Sequence, residues 1–302
     1  MENSTTLLGT HTQLSDLLAL RFQKHASTAS SRARVVGNRA GSKLSNIKGR
    51  GVDLAEVRMY QPGDDVRSMD WRVTARTNEP HTKIFREERE RPTLVVIDQT
   101  QNMFFGSKAR LKSVCAAEVG ARVAWQTLAA GDRVGGVVVH NESIDVHRPY
   151  RTTKSVARLL NDLARANQAL NRTSRAQHSI LDVMLRIRRL AKHNFRVVVI
   201  SDFAGDLSVW QEHLQGIARA NQLIVVQVND PIEAQLPPSD YYLVTTGEQR
   251  IAFFSGDARV RERYALRHAE HQQALQRICQ HSSMRYVQVA TTDENLEQAS
   301  WL

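Results

Sequence analysis

Two carboxylates stand at the ends of apolar runs, where an open sheet would present them for chemistry. Asp98 closes TLVVID and opens the string Asp98-Gln99-Thr100-Gln101-Asn102; Asp202 follows RVVVIS and precedes Phe203-Ala204-Gly205-Asp206. Carboxylate, hydroxyl and amide groups at alternate positions of one loop can turn their oxygens toward a common point. A second carboxylate from a neighbouring strand end can approach the same point. Oxygen-only donors of this kind suit Mg²⁺, which takes few protein carboxylates and keeps several waters. An aspartate at a strand end also commonly just caps the turn that follows.

Other chemistries find no support. There is no G-x-x-x-x-G-K-[ST] phosphate loop, no G-x-G-x-x-G after the first buried strand and no G-x-S-x-G elbow. Gly131-Asp132-Arg133-Val134-Gly135-Gly136 precedes a strand rather than a helix, so it cannot cradle a phosphate at a helix N-terminus. The 11 histidines include no H-E-x-x-H pair, and His268 and His271, three apart in a charged helical pattern, read as a solvated face. The 2 cysteines, Cys115 and Cys279, lie in helical patterns without C-x-x-C spacing, which excludes a disulfide framework and fits a reducing cytoplasm. Cys115 reads as a buried helical thiol. A metal-dependent hydrolase built on Asp98 and Asp202 would lack a general base or nucleophile, so no catalytic residue is assigned.

The elements that must position these residues alternate. Leu14 to Ala26 reads as an amphipathic helix with Leu14, Leu17, Leu18 and Phe22 on one stripe. Ser27 to Gly51, rich in Ser, Gly, Ala and Arg, reads as a linker or arm. Asp53 to Arg91 reads as short extended pieces broken by turns at Pro62-Gly63 and Asn78-Glu79-Pro80, with Thr82 to Glu88 alternating as a strand. From Pro92 onward buried strands alternate with helices: strands at 93–98, 133–140, 196–201, 223–228 and 285–289, a hairpin partner at 143–147, and helices at 108–130, 153–166, 179–193, 207–220 and 259–281. This rhythm predicts an α/β fold, an open, mainly parallel, doubly wound sheet covered on both faces. The expected organisation is residues 1–50 as an N-terminal helix and basic arm, 51–92 as a β-rich platform and 93–302 as the α/β domain.

The formal net charge of +10 makes polyanions physically possible partners. No acid occurs between Asp16 and Asp53, while Arg21, Lys24, Arg32, Arg34, Arg39, Lys43, Lys48 and Arg50 accumulate. Neither this arm nor the basic excess from Arg151 to Arg196 carries the interleaved aromatics that would stack on bases, so nucleic acid is the alternative reading, not the leading one. No apolar run approaches the twenty or so residues of a membrane helix, and the N-terminus lacks a secretory signal pattern.

The densest pattern is Tyr60-Gln61-Pro62-Gly63-Asp64-Asp65-Val66-Arg67-Ser68-Met69-Asp70-Trp71-Arg72, flanked by Glu56, Arg58 and Arg76. Its alternating acids and arginines read as an ion-pair network holding an irregular segment together. The run Gly51, Asp53, Glu56, Arg58, Tyr60, Pro62, Gly63, Asp64, Asp65, Arg67, Asp70, Trp71, Ala75 and Arg76 resembles the signature of the bacterial family called domain of unknown function 58. The resemblance covers the chain from about Gly51 through Ser201 to Phe203 and, more loosely, to the end. It implies a von Willebrand factor type A-like sheet. Such domains often hold a divalent ion through D-x-S-x-S at the first strand end, a threonine from a second loop and an aspartate from a third. Asp98 and Thr100 match the first motif, Asn102 replaces its second serine, and Asp202 matches the third element. The middle threonine falls at Thr173 or around His178 and Ser179. The implied site is therefore a degenerate adhesion site for Mg²⁺. The implied role is a cytoplasmic, non-enzymatic adaptor for a MoxR-type AAA+ ATPase in chaperone-like assembly or maturation of other proteins, with other von Willebrand type A proteins as further partners.

Overall fold

The structure, a computed structural model, describes residues 6–22, 53–86, 91–171, 180–236, 241–245, 250–282, 284–294 and 296. In chain order the elements are α1 (Leu14–Ala19), β1 (Asp53–Met59), α2 (Trp71–Thr77), β2 (His81–Arg86), β3 (Thr93–Gln99), α3 (Lys112–Ala129), β4 (Val134–His140), β5 (Ile144–Tyr150), α4 (Thr153–Ala169), α5 (Ile180–Leu190), β6 (Arg196–Ser201), α6 (Leu207–Ala218), β7 (Gln222–Asn229), α7 (Pro231–Ala234), β8 (Tyr241–Thr245), β9 (Arg250–Phe254), α8 (Ala258–His281) and β10 (Arg285–Ala290). They fall into two compact units: Met1–Ser27 together with Arg91–Leu302, and Thr28–Glu90.

The first unit is a six-stranded sheet of order β10-β7-β6-β3-β4-β5. Every pairing is parallel except β4 with β5. Near-continuous Val, Ile and Leu runs make β3, β4, β6 and β7 central strands, because both of their faces are covered. Alternate side chains feed two cores. Val95, Ile97, Val198 and Ile200 pack with residues of α1, α3 and α4. Leu94, Val96, Val197 and Val199 pack with residues of α5, α6 and α8. The mainly parallel α/β sheet expected from the sequence is the observed architecture.

In the 131–136 string Gly131, at φ 82°, serves the turn before β4, while Gly135 and Gly136 serve packing. A Cβ at Gly136 would lie 2.6 Å from Leu159 Cδ1, so only glycine lets α4 approach β4 this closely. Cys115 is fully buried on α3 and burial pushes its thiol up to about 12, as a structural cysteine requires.

The N-terminal helix departs from expectation. It ends at Ala19, and a 3₁₀ turn carries the chain to Phe22, which is 80% exposed. Leu17 of the expected stripe is buried, with Leu14 and Leu18 packed on the same core, and Leu20 is buried in place of Phe22; each buried leucine is worth about 1.5–3 kcal/mol. Trp125 Nε1 donates to the Leu17 carbonyl (3.0 Å), and Thr12 N donates to Asn167 Oδ1 (2.8 Å). This helix therefore belongs to the α/β unit, where the sequence groups it with the basic arm. Most of that arm lies outside the described residues.

In the second unit β1 and β2 pair antiparallel, with a register shift between Leu54 and Glu56. A helix that the sequence reading missed, α2, sits between them. Asp70 starts it by accepting hydrogen bonds from Arg72 N (3.0 Å) and Val73 N (3.2 Å), and Asn78, at φ 60°, ends it. Also unforeseen are the β8–β9 hairpin and the short α7.

Candidate functional site

β3 and β6 lie side by side in parallel register from Thr93↔Arg196 to Ile97↔Ile200. Strand order reverses at β3, with β4 on one side and β6 on the other, so the crevice beyond their carboxyl ends is where such sheets take ligands. One step beyond the last register pair, Ser201 Oγ donates to Asp98 Oδ2 at 2.6 Å. Thr100 N donates to Asp98 Oδ1 at 2.9 Å. Gln99, between them, points into the core: its Nε2 donates to the Ser113 carbonyl and its Oε1 accepts from Asn167 Nδ2, both at 2.9 Å.

The loop after β6 holds Asp202. Its Oδ1 accepts from Ala204 N at 3.0 Å, and the next residue, Phe203, has φ 53°. A bulky residue in the left-handed region costs about 1–3 kcal/mol and persists only where its surroundings over-determine it. Phe203 is fully buried, packs on Trp210 with ring centroids 4.6 Å apart, and has its carbonyl 3.0 Å from His271 Nε2. The turn lets Ser201 and Asp202, neighbours in sequence, both border one crevice.

Lys112, at the start of α3, contributes a cation that the sequence reading missed. Its Nζ lies 3.0 Å from Asp202 Oδ2 and 2.6 Å from Glu233 Oε1. Burial would favour loss of its proton, but the Asp202 and Glu233 carboxylates overcome that and hold the ammonium above its ordinary value. Asp98 moves upward as well, first because burial disfavours its charge and then because Asp202 repels it; the Ser201 and Thr100 hydrogen bonds only partly oppose this.

A cavity of about 340 Å³ opens beside Asp98. Its walls include Val96, Val139, Val199, Val183, Met184 and Trp210. Asp98, Thr100, Asn102, Ser201, Asp202 and Asp206 supply the polar part of the lining. All four candidate metal ligands, Asp98, Thr100, Asn102 and Asp202, therefore border one cavity. Thr173, His178 and Ser179, the alternatives for the middle threonine, lie outside the described residues. Each oxygen of Asp98 and Asp202 already accepts a hydrogen bond, and the bond to Asp202 Oδ2 comes from an ammonium. Among the described residues no group of three or more His, Cys, Asp or Glu side chains is placed to hold a metal ion. A dication entering here would share the carboxylates with these donors and face the charge of Lys112.

His268 and His271 are half-buried on α8 rather than on a solvated face. Burial lowers the pKa of His268. In the second unit Arg58 pairs with Asp64 (2.8 Å), whereas Asp70 pairs with Lys83 (3.5 Å), a residue outside the signature run, and Asp65 accepts from Arg67 N (3.0 Å). Tyr60 N donates to the Pro80 carbonyl at 2.8 Å. The Arg67 and Arg76 side chains are exposed, and Trp71 is 68% exposed.

The family model described as "Protein of unknown function DUF58" matches residues 56–274. The chain belongs to the DUF58 family. A relative named "Uncharacterized protein Rv1480", from Mycobacterium tuberculosis strain H37Rv, is 30% identical over 233 residues, covering 76% of this chain and 72% of its own. "Uncharacterized protein Mb1516" of Mycobacterium bovis matches with the same figures, 30% over 233 residues. Solved structures matched by fold include the conserved hypothetical protein BatB from Bacteroides thetaiotaomicron, at 14% identity, 68% of this chain, 94% of that chain and TM-score 0.41. The SpRpn10 VWA domain matches at 11% identity, 70% of this chain, 99% of that chain and TM-score 0.40. No helix among the described residues of this DUF58 protein is long and apolar enough to cross a membrane.

Proposed function

We propose that this DUF58 protein is a cytoplasmic interaction module, not an enzyme, that grips another polypeptide at the rim formed by the carboxyl ends of β3 and β6. The observation that carries the reading is the convergence of Asp98, Ser201 and Asp202 at one crevice, beside an apolar cavity large enough for a side chain. The rim supplies contact chemistry: two carboxylates fixed by backbone hydrogen bonds, a hydroxyl and the exposed Asn102. The partner we assign is an AAA+ ATPase of the MoxR type, with assembly or maturation of other proteins as the service performed; the family resemblance of the signature segment supports this assignment.

Co-expression with a MoxR-type ATPase, followed by affinity recovery of the complex, tests the reading. Wild type should retain the ATPase, while Asp98→Ala and Asp202→Ala should each reduce recovery about tenfold or more. Equal recovery from all three would move the contact surface away from the rim. Failure of the wild type to recover any ATPase would refute the choice of partner.

A further inference from the structure

The cavity beside Asp98 combines features that a hydrated ion would not use. Its walls are methyl groups and an indole: Val96, Val139 and Val199 from three adjacent strands, Met184 from α5 and Trp210 from α6. Mg²⁺ keeps several of its waters when bound to protein, and each such water needs polar partners, which the lining offers at the strand ends and not along these apolar walls. At the polar end, the groups that donate to Asp98 among the described residues belong to Ser201 and Thr100, neither carrying charge. A carboxylate has about four lone-pair positions, so roughly two remain for further N–H donors. Lys112, the nearby buried cation, bridges Asp202 and Glu233. The rim is thus a local acidic spot on a chain of net charge +10. At about 340 Å³ the cavity is at the small end of ligand clefts, fitting one long side chain and not a peptide segment.

We propose that the cavity receives a basic side chain, lysine or arginine, from a partner polypeptide. The alkyl stem packs against the valine, methionine and tryptophan walls, and the ammonium or guanidinium head donates to Asp98. Long cationic side chains suit this division, since their stems are apolar and their heads are not. The inference rests on the reading of the rim as a polypeptide contact and gives that contact a polarity: the partner brings the cation directly, in place of a divalent ion.

The test uses the full chain with ¹³C-methyl methionine, following the Met184 signal. Four probes are titrated: agmatine for the arginine head, n-butylamine for the lysine head, n-butanol as the neutral isostere, and MgCl₂. Saturable movement of Met184 by at least one of the two amines is expected, with butanol about tenfold weaker or more, as a charge-assisted hydrogen bond implies. Mg²⁺ should neither shift Met184 nor displace the bound amine. Asp98→Asn should weaken amine binding by a similar factor while leaving butanol unchanged. Equal affinity for amine and butanol, displacement of the amine by Mg²⁺, or silence of Met184 toward both amines would each overturn the proposal. The probe series on wild type decides even if the variant fails to fold. A rim that loses its ATPase on Asp98→Ala yet ignores both amines sinks this inference and spares the wider reading. Amine binding alongside recovery that is indifferent to Asp98 does the reverse.

Discussion

Glu118 lies on α3, fully buried, between two arginines that are also almost wholly buried. Its Oε2 accepts from Arg110 Nη1 (2.5 Å) and from Leu7 N (3.0 Å), and its Oε1 accepts from Arg122 Nε (2.9 Å) and Nη2 (2.7 Å). Alanine at this position would leave two guanidinium groups without their carboxylate and a backbone amide without its acceptor. Removing one partner of a buried pair costs about 3–5 kcal/mol, because the remaining charge stays desolvated. Because one carboxylate serves both arginines, the upper part of that range is expected. Glu118→Gln, which keeps an acceptor oxygen but no charge, should fall between wild type and alanine. Urea unfolding followed by far-UV circular dichroism, read on the transition of the α/β unit, measures both. Arg110 also donates to the carbonyls of Thr291 (2.9 Å) and Asp293 (2.6 Å), so faster amide exchange near Leu7 and around residues 291–293 should accompany the loss. A cost below about 1 kcal/mol, the worth of a solvent-exposed pair, would show that water reaches this cluster and refute the reasoning.

Two further outcomes follow from hydrogen bonding to carboxylates. Burial opposes ionisation of Asp230, but the Ser107 and Thr291 hydroxyls and the amides of Ser107 and Ile232 donate to it and hold it below its ordinary value of 3.8. A lowered folded-state value gives stability that is present above that ordinary value and lost as pH falls through the folded one. Asp230→Asn should therefore be less stable at neutral pH and show a flatter acid limb in a pH series of melting temperatures; parallel curves would contradict this. In the second unit, Asp70→Ala removes the cap of α2 and should lower the melting temperature of that unit, whereas Arg67→Ala, on an exposed side chain, should leave it nearly unchanged. Equal effects of the two would mean that the cap is not what starts the helix.

Much of the sheet was legible because a strand buried on both faces needs an unbroken apolar run, and TLVVID, RVVVIS and LIVVQV have no other easy reading. Asp98 and Asp202 were legible for the same reason, since each stands where such a run stops. Ser201 and Lys112 were not. A serine inside an apolar run carries no pattern of its own, and the position of Lys112 depends on how the start of α3 meets the loop after β6, at Asp202, and α7, at Glu233, which spacing does not encode. The helix α2 was hidden because its arginines and tryptophan lack an apolar stripe; only the aspartate before it, read as a cap, could have revealed it. Phe22 shows the opposite failure: a periodic stripe continued past the point where a tighter turn rotates it outward.

The α/β unit is interrupted by the segment Thr28–Glu90, so its first helix is made long before the surfaces it joins. The contacts of Leu17 with Trp125 and of Thr12 with Asn167 span 108 and 155 residues. At about 5–20 residues per second of translation, the nascent α1 waits on the order of ten seconds for those partners. Six residues cannot stay helical alone over that interval, and the leucines of α1 meet water first. A chain stalled before α4 is complete leaves those leucines uncovered, and the synthesis of α4 supplies the last of these two partners.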